Sequence, residues 1–140
     1  MRVLIVDNNI DTDSWGSPDL RRCVPLFPGA TFHTRRAPAG DLPSGPEGYD
    51  RIILSGSKTS CFADAPWISQ LIEFTRRAVD SGKPFLGVCY GHQILNRSLG
   101  GIELMSKSQP PELGWTQVEL TGESPLTAGL PKRFYTFQAH

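Results

Sequence analysis

Cys89 stands in the run Gly87-Val88-Cys89-Tyr90-Gly91, between a short apolar segment and a stretch with helical character. A Gly-x-Cys-x-Gly pattern in that setting has the form of a nucleophile elbow. The turn is sharp, so both flanks need residues without bulk. The geometry aims the sulfur outward at the start of a helix, where amide groups and dipole favour a thiolate over a thiol. A lone cysteine is more often a small buried residue. Two framing glycines at a strand-to-helix junction favour chemistry instead. Cys23 and Cys61 lack such framing and read as ordinary small residues.

A thiolate nucleophile needs a base to manage its proton and to protonate the leaving group. The candidates are His33, His92 and His140. His92 lies on the elbow's own helix, with poor reach to the sulfur, and reads as a packing or supporting residue. His33 sits in an expected strand among polar neighbours and reads as a surface residue. His140 follows the strand-like run Phe134–Phe137, a suitable place from which to reach converging loops. The elimination favours His140 without deciding it.

The elements that must position these groups follow from apolar patterning. Val3–Val6 is an unbroken aliphatic run ending in Asp7, the look of a strand buried on both faces of a parallel sheet. Ser17-Pro18-Asp19 predicts an N-cap and a helix over 18–26, stopped by Pro28-Gly29. Thr31–Arg35 reads as a strand, and the Pro/Gly-rich stretch 37–48 as a surface loop. Arg51–Ser55 is the next strand and empties into the small polar loop Gly56–Ser60. Pro66 opens the clearest helix, with Trp67, Ile68, Leu71, Ile72, Thr75, Ala78 and Val79 on one face and Gly82 at its end. Pro84–Val88 is a further strand, followed by a helix to about Leu99, closed by Gly100-Gly101. Ile102–Met105, Val118–Leu120 and Phe134–Phe137 read as strands. Trp67 and Trp115 read as packing groups.

Strands alternating with helices predict an α/β fold with a mostly parallel sheet and helices on both faces, in three layers. Ligands of such sheets sit beyond the carboxyl ends of the strands. Loops leave those ends after Asp7, Ser55 and Val88, so the chemistry is expected where they converge.

Composition narrows the function classes. Lys plus Arg and Asp plus Glu number 14 each, giving a formal net charge of zero. That disfavours nonspecific nucleic-acid binding and attraction to anionic membranes. With 39% hydrophobic and 20% charged residues, the chain has the balance of a folded domain rather than a disordered one. At 140 residues it is expected to form a single domain, 1–140. No run approaches the ~20 apolar residues of a membrane span. The start Met1-Arg2 leads straight into a short strand, with no signal-peptide core. Three cysteines without a CxxC fit a reducing cytoplasm. Asp7, Asp11, Asp13 and Asp19 form a loose acidic loop rather than a metal site, and the paired arginines 21–22, 35–36 and 76–77 read as solvated faces.

Gly87-Val88-Cys89-Tyr90-Gly91-His92-Gln93 resembles the nucleophile motif of class I glutamine amidotransferases. Ile53-Leu54-Ser55-Gly56-Ser57 resembles their oxyanion strand and loop, and Leu99-Gly100-Gly101 the end of their elbow helix. Pro111–Trp115 is similar to their next segment, and Phe137-Gln138-Ala139-His140 to the one carrying the catalytic His. The run from Gly56-Ser57 to Pro66-Trp67 is most similar to stand-alone members like the guanosine monophosphate synthase glutaminase domain. Asp7-Asn8 is similar to the glutaminase subunits of anthranilate and aminodeoxychorismate synthases.

The resemblance implies a flavodoxin-like fold and hydrolysis of the side-chain amide of glutamine, without metal or cofactor. It makes Cys89 the nucleophile that forms a γ-glutamyl thioester and His140 the proton carrier. Backbone N–H groups at Gly56, Ser57 and Tyr90 would hold the oxyanion, and Gln93 would touch the bound glutamine. The implied partner is a synthase subunit or domain that takes the ammonia. Two departures stand out. Ser57 and Lys58 occupy positions where the family usually has glycine and proline. The family's acid, two positions after the His, lies beyond His140, so the chain is expected to be an incomplete domain whose C-terminal part is missing, or a degenerate member, with weak or no turnover by itself. The alternatives are a hydrolase of other γ-glutamyl compounds and a catalytically silent glutamine-binding or regulatory member.

Overall fold

The computed structural model of the chain describes residues 1–12, 16–22, 27–107 and 112–139, with only the backbone of residue 17. The chain divides into two compact units, Met1–Met105 and Ser106–His140.

The first unit is organised around β1 (Arg2–Asp7). Leu4, Ile5 and Val6 are fully buried and Val3 nearly so. This is the outcome expected of an unbroken aliphatic strand with neighbours on both sides and cover on both faces. β2 (Thr31–Arg36) and β3 (Arg51–Leu54) flank it, and β4 (Phe85–Gly87) lies beyond β3. The order is β2-β1-β3-β4 and every pair is parallel. Val3 stands opposite Phe32 on one side and Arg51 on the other. All strand ends therefore point the same way.

Among the described residues, three α-helices accompany the sheet: α1 (Ser17–Arg21), α2 (Pro66–Asp80) and α3 (Tyr90–Gly100). α2 enters from an extended Ala65 with Pro66 at its first position, where a missing N–H costs nothing. Gly82, at φ 71°, turns the chain just after its end. Its buried residues Ile68, Leu71, Phe74, Thr75 and Ala78 recur at helical spacing. The four apolar ones join Leu4, Val6, Ile52 and Leu54 of the sheet and Tyr90 and Ile94 of α3 in one core. Val3 and Ile5 alternate to the opposite face and are buried as well. Two arginines brace this layer. Arg76 Nε donates to the Ser98 carbonyl at 2.7 Å, and Arg97 Nη1 donates to those of Cys61 and Ala63 at 2.7 and 2.9 Å. Arg76 is thus a brace rather than part of a purely solvated face. Arg36 likewise donates to the Asn9 carbonyl at 2.9 Å.

Four expectations change. α1 ends at Arg21, and Gly16 rather than Ser17 caps it, its carbonyl accepting the Asp19 and Leu20 N–H groups at 3.1 Å. Cys23–Leu26, the rest of the expected helix, lies outside the described residues, as do Asp13 and Pro111. Ile102–Met105 is not a strand but a turn of 3-10 helix over Ile102–Leu104. Gly101, at φ 83°, turns the chain out of α3 there. The loop after β2 is not wholly at the surface, since Ala37 and Tyr49 are buried.

In the second unit, β5 (Leu113–Glu119) and β6 (Arg133–Ala139) form an antiparallel pair in a sheet of their own. Both strands are longer than their apolar runs predict. Trp115 stands opposite Phe137, their rings edge to face at 5.9 Å. Trp115 is 74% exposed, so it is not a core residue.

Candidate active site

β3 and β4 end side by side, and the pairing does not stop at Gly87. The Val88 N–H donates to the Leu54 carbonyl at 3.0 Å. α3 begins two residues later. The Gly91 N–H donates to Val88 O at 2.9 Å and the Gln93 N–H to Cys89 O at 3.1 Å. Held between these bonds, Cys89 adopts φ 51°, ψ −111°. It is the one non-glycine residue at positive φ among the described residues. Such a conformation costs about 1–3 kcal/mol and persists where its surroundings impose it. Here the imposing groups are the end of one strand and the start of one helix.

The flanking glycines have a steric cause. A Cβ on Gly87 would lie 2.6 Å from the backbone of Gly91 and His92. A Cβ on Gly91 would lie 2.5 Å from the Leu54 carbonyl oxygen and 2.6 Å from Leu54 Cβ. The first turn of α3 therefore rests directly on the ends of β3 and β4. Cys89 is exposed at that junction.

The loop after β3 comes up beside the sulfur. A Cβ built on Gly56 would lie 3.5 Å from Cys89 Cβ and 4.0 Å from Sγ. Ser57 follows, half-buried, its hydroxyl donating to Thr59 Oγ1 at 3.0 Å and accepting the Thr59 N–H at 3.1 Å. The N–H groups of Gly56 and Ser57 donate to no other described residue. Tyr90 is the first helical residue, so its N–H has no partner within α3.

The loop after β1 converges on the same place. Asn8 is fully buried. Its N–H donates to Ser55 Oγ at 2.9 Å and its Nδ2 to the Ser55 carbonyl at 2.8 Å. Asp7 Oδ1 accepts the Asn9 N–H at 3.0 Å. Lys58 Nζ lies 3.5 Å from Asp11 Oδ2 across the two loops. Among the described residues, no group of three or more His, Cys, Asp or Glu side chains is placed to hold a metal ion.

The Tyr90 side chain points away from this surface. Its ring is buried beside Trp67, with centroids 6.2 Å apart. Among the described residues its hydroxyl has no hydrogen-bond partner, and burial pushes the phenol well above its ordinary value. Cys61 is also buried, which raises its thiol despite the opposing charge of Arg97. The two described cysteines thus differ in kind: one is enclosed and held protonated, the other is exposed on a strained turn.

The structure brings Cys89, Gly56, Ser57 and the Tyr90 backbone to one end of the sheet, with Gln93 half-buried on the first turn of α3. His92 does not pack: it is exposed and its Nε2 lies 3.1 Å from Asn96 Nδ2, one turn along. His33 is half-buried, edge-on to the Tyr49 ring at 5.7 Å. His140 lies outside the described residues. The residue pair that pattern reading missed is Asn8 with Ser55. The only signal for it was two small polar residues, each just beyond an apolar strand.

The family model for class I glutamine amidotransferases matches residues 31–140. The glutamine-hydrolysing GMP synthase of Aeropyrum pernix is 39% identical over 89 residues, which is 64% of this chain and 16% of that protein. Gamma-glutamyl peptidase 4 of Arabidopsis thaliana is 28% identical over 109 residues, 76% of this chain and 41% of that protein. Among solved structures, a glutamine amidotransferase from Thermotoga maritima superposes with a TM-score of 0.76 at 24% identity, over 99% of this chain and 60% of that one. In each of these three comparisons the chain spans less than two thirds of its relative's length.

Proposed function

The chain belongs to the class I glutamine amidotransferase family, and from that premise we propose that its protein hydrolyses the side-chain amide of glutamine through a thioester on Cys89. The observation that carries this reading is the strained, exposed Cys89 with Gly56 beside its sulfur. The thiolate attacks the amide carbon, and the carbonyl oxygen takes the negative charge. The N–H groups of Gly56, Ser57 and Tyr90 are the donors for that oxyanion. Donors acting on charge that exists only in the transition state are worth about 10²–10³ in rate each. The C–N bond then breaks and the nitrogen leaves as ammonia with a proton from His140. Water hydrolyses the thioester to glutamate. Gln93 contacts the bound glutamine. His140 takes its role from sequence order, and the two units Met1–Met105 and Ser106–His140 are taken as parts of one amidotransferase domain.

The ammonia is delivered to a synthase subunit or domain, a reading supported by the Aeropyrum relative being a glutamine-hydrolysing GMP synthase. The setting is cytoplasmic, in keeping with two described free thiols. No described helix is long and apolar enough to cross a membrane.

A second reading shares the nucleophile and differs in the leaving group. The Arabidopsis gamma-glutamyl peptidase and a Pseudomonas gamma-glutamyl-L-1-hydroxyisopropylamide hydrolase, 29% identical over 121 residues, favour release of an amine other than ammonia. The test is product analysis with the full-length protein, offered glutamine and, separately, γ-glutamyl alkylamides. Ammonia and glutamate from glutamine, abolished in Cys89→Ala, support the first reading. Turnover of the alkylamides alone supports the second. Glutamine binding without any product would overturn both.

A further inference from the structure

The Ser55 side chain is fully buried and makes hydrogen bonds in two directions. Its oxygen accepts the Asn8 N–H at 2.9 Å, and its hydroxyl donates to the Gly56 carbonyl at 2.9 Å. Ser55 itself is fixed from both sides. Its N–H donates to the Val6 carbonyl at 3.0 Å, and its carbonyl accepts Asn8 Nδ2 at 2.8 Å. The Gly56 carbonyl and the Ser57 N–H belong to one peptide plane and point in opposite directions across it. Holding the carbonyl toward Ser55 therefore turns the Ser57 N–H away from Ser55. Glycine at 56 leaves that peptide otherwise free to rotate, because no Cβ biases its backbone. The Gly56 Cβ position lies within 4.0 Å of Cys89 Sγ, so the orientation of this peptide decides whether a donor or an acceptor faces the reacting carbonyl.

We propose that Ser55, anchored by Asn8, is the positioning residue that sets the Gly56–Ser57 peptide in its donor orientation. This rests on the proposed amide hydrolysis and extends it. A peptide turned the other way would present its carbonyl instead, and that carbonyl would repel the developing oxyanion. Asn8 acts through Ser55 and does not approach the sulfur in any contact described above.

The test is Ser55→Ala in the full-length protein, with Ser55→Thr as the conservative control. The expected result is a fall in kcat of tenfold or more, tending to the loss of about 10²–10³ for one missing oxyanion donor, with KM changed by less than about twofold. Ser55→Thr, which keeps the hydroxyl, restores kcat to within about threefold by the same logic. Alkylation of Cys89 by iodoacetamide passes through no oxyanion, so its rate stays at the wild-type value in both variants. Wild-type kcat in Ser55→Ala overturns the proposal, as does an equal loss of alkylation and turnover, which marks a merely structural role. If Ser55→Ala does not fold, Asn8→Ala removes one of the two anchors and must lower kcat while leaving alkylation unchanged. A crystal structure of the variant reads the peptide directly: a Gly56 carbonyl that keeps its wild-type direction without the hydroxyl also overturns the proposal. Absence of turnover in the wild type would refute the hydrolase reading instead, and the carbonyl direction would still decide the role of Ser55.

Discussion

Replacing Cys89 by glycine is expected to make the protein more stable than replacing it by alanine. At an ordinary position the order is reversed, because glycine surrenders more backbone freedom on folding, a cost of about 0.5–1 kcal/mol. Cys89 sits at φ 51°, ψ −111°. The mirror image of that conformation lies in the broad extended basin, which glycine, lacking a Cβ, occupies with either sign of φ. Glycine therefore relieves strain of about 1–3 kcal/mol. The cysteine side chain is exposed, so neither truncation forfeits much burial. Subtracting the entropy term leaves Cys89→Gly above Cys89→Ala by about 0–2.5 kcal/mol, about 1 kcal/mol at mid-range. For a domain of this size the mid-range value is a Tm difference of about 2–5 °C. Urea denaturation of both variants under reducing conditions, followed by circular dichroism, measures the difference directly. Both variants lack the thiol, so activity plays no part in the comparison. An alanine variant at least as stable as the glycine variant would refute the claim that the elbow stores backbone strain.

Gly91→Ala is expected to destabilise by about 3 kcal/mol, the upper range of overpacking, because its Cβ meets the Leu54 backbone at 2.5 Å. Gly122→Ala, with nothing within 4 Å, is the matched control and should stay within about 0.5 kcal/mol in the same melt. Gly56→Ala should fold normally, since its nearest contact is an ordinary 3.5 Å, yet slow alkylation of Cys89 by crowding Sγ; an unchanged rate would contradict the placement of that loop. Tyr90→Phe removes a buried hydroxyl with no partner among the described residues and should be neutral or stabilising by about 1 kcal/mol. Burial raises the Tyr90 phenol, so the folded state holds its proton more tightly than the unfolded one. That contribution is complete below the ordinary tyrosine value of about 10 and is lost as pH rises beyond it. Tyr90→Phe should therefore flatten the alkaline limb of a stability–pH profile, and an unchanged limb would count against it.

Much of this architecture was legible because its causes are local. Val3–Val6 announces a doubly covered strand by composition alone. Gly87 is readable for the same reason, since the contacts that demand it come from Gly91 and His92 in α3's own first turn; Gly91 is pressed on the distant Leu54 and is legible only through the Gly-x-Cys-x-Gly pattern. Phe74 belongs to the α2 stripe by spacing from Leu71 and Ala78, and it is hard to pick out because the adjacent Thr75 completes the same stripe and is buried too. The turn at Ile102–Leu104 resembles a strand in sequence because three apolar residues in a stretch of four are too few to display a period. The partnership of Asn8 with Ser55 joins residues 47 apart, and nothing along the chain marks it. The exposed side of β5–β6 was illegible in another way. Trp115 reads as a packing group in sequence, and it does meet the Phe137 ring, yet nothing along the chain tells that it stays mostly exposed.

The strand order also has a consequence for how the chain comes to be folded. β1 sits between β2 and β3, and its partner in β3 begins at Arg51, opposite Val3. During synthesis at roughly 5–20 residues per second, the most apolar ribbon of the sheet waits several seconds for its second neighbour. Over that interval Val3–Val6 is a short, uncharged segment of high β-propensity with an open edge, the kind of segment that pairs with copies of itself. Aggregation of nascent chains should therefore concentrate in products that stop before β3 and fall away once Leu54 has emerged.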